Sequence, residues 1–186
     1  MRFFDPMAGQ IRFEGVDYAC YEPSELRKRV IMVPQQANIF SSTIEDNLLV
    51  AKPEATSEEM LKALEFVRLK DWVAGLPCGL KTDVGDGGAK LSGGQRQKIG
   101  IARVLLSNAQ YIIFDEATSS VDLDSEREIW ACIGELSQTR TLIIISHRLS
   151  TIRQADIIYV LSSGEVAERG SHDQLMEQNG LYAKLV

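Results

Sequence analysis

The sequence predicts an α/β fold with a parallel-sheet core, and three observations carry that prediction. Short apolar runs at Val30–Val33, Tyr111–Phe114 and Leu142–Ile145 have the length of buried strands. Helical periods of apolar residues alternate with them, the pattern that builds helices onto a parallel sheet. Residues with chemistry follow the runs directly: Gln35, the pair Asp115-Glu116, and His147. In open α/β sheets ligands bind at that carboxyl edge.

The 186 residues are enough for one well-packed domain, or a domain and a subdomain. Hydrophobic residues make up 45%, which supports a core and argues against disorder. A net charge of −6 argues against a general nucleic-acid surface, so no nucleic-acid partner is expected. Cys20, Cys78 and Cys132 are odd in number and in no CxxC pattern, and read as free thiols in a reducing compartment. No apolar run approaches the roughly 20 residues of a membrane span, and no signal peptide opens the chain.

In order along the chain, Asp5-Pro6 stops any helix begun at the start. Ile11 and Phe13 alternate with polar residues before Gly15, which suggests a strand and a turn. Ser24 is placed to cap a short helix. Ile44–Leu49 reads as helical, and Thr56 with Glu59 forms a capping box before Met60, Leu61, Leu64 and Val67. Trp72, Val73 and Leu76 extend that apolar face. Thr82–Gly88 is a glycine-rich loop. Ile99, Ala102, Leu105 and Leu106 give the next helix a buried stripe, and Ile129, Ile133 and Leu136 mark another. Ser163-Gly164 sits between two strand-like runs as a hairpin turn. Ser171 and Gln174 form a further capping box on a helix ended by Gly180.

Two stretches organise the rest. Leu91–Gln97 reads LSGGQRQ, with Ser92 a good N-cap and Gln95 three residues on, a capping box. Gly93 and Gly94 leave first-turn N–H groups unshielded, and a helix start with unpaired N–H groups and a partial positive charge binds phosphate. An ordinary capped helix has the same local pattern. Tyr111–Phe114 ends in Asp115 and Glu116, whose burial without partners is costly. One acid can hold Mg²⁺ and the other can orient or deprotonate water. A surface Asp-Glu pair after a strand is the alternative.

Together, LSGGQRQ and YIIFDE resemble the signature motif and the Walker B strand of the ABC-type ATPases. The resemblance runs from Met1 to Val186 and is nearest to the nucleotide-binding domains of exporters. It implies a P-loop NTPase-like core over 1–40 and 106–186, with an inserted helical subdomain over roughly 41–105. It implies ATP and Mg²⁺ as cofactors, with Glu116 as general base and Asp115 on the metal. Gln35, after Val33-Pro34, occupies the position of the glutamine that senses Mg²⁺ and attacking water; Gln36 beside it leaves the register to the VPQ match. Ser92, Gly93, Gly94 and Gln95 would face nucleotide phosphate. Asp122, in Ser120-Val121-Asp122, takes the D-loop position and can also cap a helix. His147 matches the switch histidine that contacts the γ-phosphate. Thr82–Gly88 resembles the loop that touches the membrane domain, and a flexible connector is the other reading. The implied partners are the transmembrane domain of an ABC transporter and a second nucleotide-binding domain, with a cytoplasmic location at the inner face of the membrane.

A P-loop needs G-x-x-x-x-G-K-[ST], and these residues contain no Gly-Lys pair. The expectation is therefore an ABC ATPase domain without its N-terminal strands and P-loop, with an exposed edge or gap in the sheet and, as a result, marginal stability or association. The competing reading is a nucleotide-incompetent module that offers only its signature face to a partner. The DNA-maintenance ABC ATPases share both motifs, but the sustained heptads of their coiled coil are missing here.

Overall fold

A computed structural model describes residues 2–118 and 121–186. The first part begins with a hairpin of β1 (Arg12–Phe13) and β2 (Val16–Asp17), joined by Glu14 and Gly15. Both turn residues have positive φ, 50° and 81°, as a two-residue turn matched to strand twist requires. Next come α1 (Pro23–Arg29) and β3 (Val30–Val33). Pro23, whose φ is already set for a first helical position, starts α1, so Ser24 lies inside the first turn and is not the cap. Helices α2 (Ile44–Leu49), α3 (Ser57–Phe66), α4 (Lys70–Ala74) and α5 (Gly93–Leu106) follow. After them come β4 (Tyr111–Asp115), α6 (Leu123–Ser137) and β5 (Thr141–Ile145). The last elements are α7 (Leu149–Ile152), β6 (Ile158–Ser162), β7 (Glu165–Gly170), α8 (His172–Glu177) and α9 (Leu181–Leu185).

The parallel core is present: β3, β4 and β5 form a sheet in that order. β3 and β4 are parallel, with Val30 opposite Tyr111 and Val33 opposite Phe114. That register brings the ends of both strands level, so Pro34-Gln35 and Asp115-Glu116 leave the sheet at one edge. Val33, Ile112 and Phe114 are buried beneath them. The N-terminal hairpin covers the other end, where Tyr18, Leu26 and Val30 form a cluster with Phe13, Tyr21 and Tyr111. Phe13 meets Tyr111 edge-on at 4.9 Å between centroids.

The helices sort by their apolar faces. Met60, Ala63 and Leu64 of α3 are buried, and α3 packs on α5. α5 buries more than the single stripe of its sequence pattern: Ile101 and Val104 are inside while Leu105 is only half-buried. The Thr56/Glu59 box caps α3, and Arg68 at φ 57° turns the chain into α4, so Trp72 and Val73 lie on a separate helix. A capping box at Thr43/Asp46 starts α2 as well, with Asp as its acid.

The chain divides into two compact units, Met1–Ile143 and Ile144–Val186. In the second, β6 and β7 pair antiparallel across Ser163-Gly164, again with positive φ at both residues. Ile158, Val160, Leu175 and Tyr182 form its core. Ser171/Gln174 caps α8 as expected. That helix stops at Glu177, earlier than Gly180. Asn179 takes the left-handed position after it, and Gly180 is instead the cap of α9. The Glu168 carboxylate accepts from the first N–H groups of α9, Leu181 and Tyr182, the second at 2.9 Å. A side chain on Gly180 would collide with it. His172 Nδ1 lies 2.8 Å from the Tyr182 hydroxyl.

Candidate functional site

The level ends of β3 and β4 join two residues 81 positions apart: Gln35 Nε2 donates to Glu116 Oε2 at 3.3 Å. Glu116 has φ 46°, a left-handed conformation that a side-chain-bearing residue adopts at some cost. The turn directs the chain away from β4 directly after Asp115. Asp115 and Glu116 are half-buried and Gln35 is exposed, so the pair sits at an open edge.

The helix start predicted at Ser92 is built as a capping box. Gln95 N–H donates to Ser92 Oγ at 3.1 Å, and Ser92 N–H donates to Gln95 Oε1 at 2.8 Å. First-turn N–H groups of a helix have no intrahelical acceptor; Gly93 is half-buried there and Gly94 buried. Gly94 has a packing reason to be glycine. A Cβ there would lie 2.3 Å from Ser125 Oγ, because the starts of α5 and α6 meet. Asp122 caps α6, accepting from Ser125 N–H at 2.9 Å. That N–H and the Ser125 hydroxyl hold its carboxyl below the ordinary range. Lys98, nearly buried on α5, pairs with Glu128 on α6. Ser119 and Ser120 lie outside the described residues, so the D-loop is described only from Val121 onward. His147 is exposed, two residues beyond β5 in the second unit, where Arg148 N–H donates to Ser146 Oγ at 3.0 Å.

Several residues whose side chains were assigned no role by the sequence hold the turn of Gln35 and the segment after it. Gln97 is 2% exposed. It donates to Pro34 O and accepts from Ala37 N–H, both at 3.2 Å, and so holds the turn carrying Gln35. The signal in the sequence is a glutamine closing LSGGQRQ on the buried side of α5. Asn47, fully buried, accepts from Phe40 N–H at 2.9 Å and donates to Phe40 O and Thr43 O. Arg103 reaches Asn47 O at 2.6 Å, with further hydrogen bonds to Asn47 Oδ1 and Asn38 O. The segment so fixed is zipped to Thr82–Gly88: Ser41 Oγ donates to Asp86 at 2.7 Å and accepts from Gly87 N–H at 2.9 Å. Ile44 N–H donates to Thr82 O, and Val84 N–H to Ser42 O. The glycine-rich loop is thus tied down, and Phe40 stands beside it with 52% of its surface exposed.

A parallel sheet flanked by helices, with a glutamine and two acids leaving one edge, is a P-loop NTPase-like class of fold. Comparison narrows the class. The family described as "ABC transporter" matches residues 1–119, and the chain belongs to it. A relative named "ATP-dependent lipid A-core flippase" from Chromobacterium violaceum is 45% identical over 184 residues, which are 99% of this chain and 32% of that protein. "Putative multidrug export ATP-binding/permease protein YgaD" of Bacillus subtilis is 43% identical with the same coverage. The fold matches a solved structure, "Structure of a bacterial Atm1-family ABC exporter with ATP bound", with a TM-score of 0.92 at 40% identity, covering 99% of this chain and 32% of that one. The chain thus spans about a third of the relatives' length, and an ATP-binding part of an ABC exporter is the function these likenesses support. Among the described residues no helix is long and apolar enough to cross a membrane.

Proposed function

We propose that these residues supply the hydrolytic carboxylate and the signature face of an ATP-driven exporter, with the P-loop coming from a segment outside Met1–Val186. The observation that carries the reading is the 3.3 Å hydrogen bond from Gln35 to Glu116 at the end of the parallel sheet. In this reading Glu116 accepts the proton of the water that attacks the γ-phosphorus, and Gln35 orients that carboxylate. His147 donates to a γ-phosphate oxygen. Ser92, Gly93, Gly94 and Gln95 meet the phosphates of a nucleotide held by a second domain, because their helix start offers N–H groups outward. Asp122, holding the adjoining helix start, lies on that same shared face.

The donor set fits Mg²⁺ in company with a nucleotide. The Asp115 carboxylate and the Gln35 side-chain carbonyl are hard oxygen ligands, and Mg²⁺ takes the rest of its octahedron from phosphates and water. The ion would neutralise charge on the phosphate oxygens. The zipped face of Ser41 and Thr82–Gly88, with exposed Phe40, is the part that meets a membrane-spanning domain, which puts these residues on the cytoplasmic side. The relatives' names, a flippase and a multidrug exporter, favour outward transport.

The test is ATP hydrolysis by a polypeptide that joins these residues to a P-loop segment. Glu116→Gln is expected to lower turnover by about 10²–10⁴-fold, as loss of a general base does. Unchanged turnover removes Glu116 from the role and the reading with it.

A further inference from the structure

We propose that Gln97 is a positioning residue for hydrolysis, acting through Gln35 and resting on the function proposed above. The polar ring of contacts is continuous. The Gln97 side chain is 2% exposed and spans the turn Pro34–Ala37, holding Pro34 O at one end and Ala37 N–H at the other. Gln35 lies between those two points and donates to Glu116. Gly100, one turn further along α5, lets Ala37 approach until a Cβ on the glycine would stand 3.1 Å from the Ala37 methyl. The turn is therefore fixed against α5 by a pair of hydrogen bonds and a close packing contact.

A glutamine is the side chain this site asks for. It must accept from one backbone group and donate to another, and among residues of its length only the primary amide does both without charge. An apolar residue of equal volume would fill the space yet leave Pro34 O and Ala37 N–H without these partners, and the turn would then be held by packing alone. Gln97 touches no reacting atom. Its effect reaches Glu116 through the position of Gln35, and it comes from the helix whose first turn carries Ser92 and Gly94. A shift of α5 at its phosphate-facing end is thereby transmitted to the turn that orients the general base.

The experiment replaces Gln97 by Met in a polypeptide that joins these residues to a P-loop segment. Expected is a fall in kcat of about tenfold or more, because small displacements of a positioned group are costly in rate. KM for ATP should stay within about twofold, since the interaction lost matters only in the transition state. Combined with Gln35→Ala, the Gln97→Met change should add no further loss, because both act through one side chain. In the 186-residue chain, amide exchange at Ala37 should quicken by about tenfold while the core of α5 stays protected. If Gln97→Met does not fold, Gln97→Glu is judged by the same criteria; it keeps the acceptor for Ala37 and loses the donor to Pro34. Unchanged kcat in a folded variant overturns the proposal, as do multiplying losses in the double variant. Glu116→Gln run beside it separates the cases: if that change leaves turnover untouched, the proposed function fails; if it abolishes turnover while Gln97→Met is silent, only the positioning role fails.

Discussion

Gly94→Ala tests the contact between the starts of α5 and α6. Gly94 is the second residue of α5, where alanine would ordinarily stabilise a helix by about 1 kcal/mol. Here the new methyl would stand 2.3 Å from Ser125 Oγ and 2.6 Å from Ser125 Cβ. The hydroxyl can rotate aside, but the Cβ is fixed to the backbone of α6. Carbon atoms pack at about 3.5–4.0 Å, so the two helix starts must separate by roughly 1 Å. Overpacking of this kind costs about 1–3 kcal/mol. Set against the propensity gain, the expected net loss is about 0–2 kcal/mol, or up to roughly 8 °C in Tm for a chain of this size. Ser125→Gly removes both obstructing atoms, whereas Ser125→Ala removes only the hydroxyl. A double-mutant cycle by calorimetry should therefore show about 1–3 kcal/mol of rescue with Ser125→Gly and little with Ser125→Ala. No rescue by Ser125→Gly, or equal rescue by both partners, would refute the argument.

Three further outcomes follow from the same geometry. Asn47→Ala strands Phe40 N–H, while Phe40 O keeps Ser42 N–H and Thr43 O keeps the backbone N–H of residue 47, and should cost about 1–3 kcal/mol in urea denaturation; a loss below about 1 kcal/mol would mean water replaces the amide. Lys98 is 8% exposed and its partner Glu128 is 40% exposed, so Glu128→Gln, which strands the inner charge, should destabilise more than Lys98→Met, and the reverse order in thermal melts would count against it. The Asp122, Glu59 and Asp46 carboxyls are all held low, by the Ser125 N–H, by Lys52 and by the Ser42 hydroxyl respectively. A lowered folded-state pKa gives stability that is present above the unfolded value of about 4 and lost as pH falls through the folded one, so urea midpoints should hold between about pH 7 and 5 and drop on further acidification.

What the sequence made legible was local. A capping box is a four-residue agreement between a hydroxyl and an amide or carboxylate, so Ser92/Gln95, Thr56/Glu59 and Ser171/Gln174 were readable from spacing and stand as read. The hairpin turn at Ser163-Gly164 and the limits of β3 are of the same kind. Where two local signals competed, the stiffer one won. Pro23 outranked Ser24 at the start of α1, and Asn179 took the left-handed turn that Gly180 was expected to take. The site itself was legible as a set of residue types and not as an arrangement. No period in the chain links Gln35 to Glu116; the parallel register of β3 and β4 does.

The signature stretch shows why motif reading stops short. Its polar and small residues answer different demands. Gly94 yields its Cβ space to Ser125. Gln95 closes the capping box while its neighbour Gln97 faces the opposite side and holds the turn of Gln35. Ligand chemistry alone would accept many helix starts, since any first turn offers N–H groups. Packing alone would accept an apolar residue at position 97. Under the proposed function the two demands together select this run, because one helix would present its first turn to a phosphate while its buried side fixes both the glutamine turn and the start of α6.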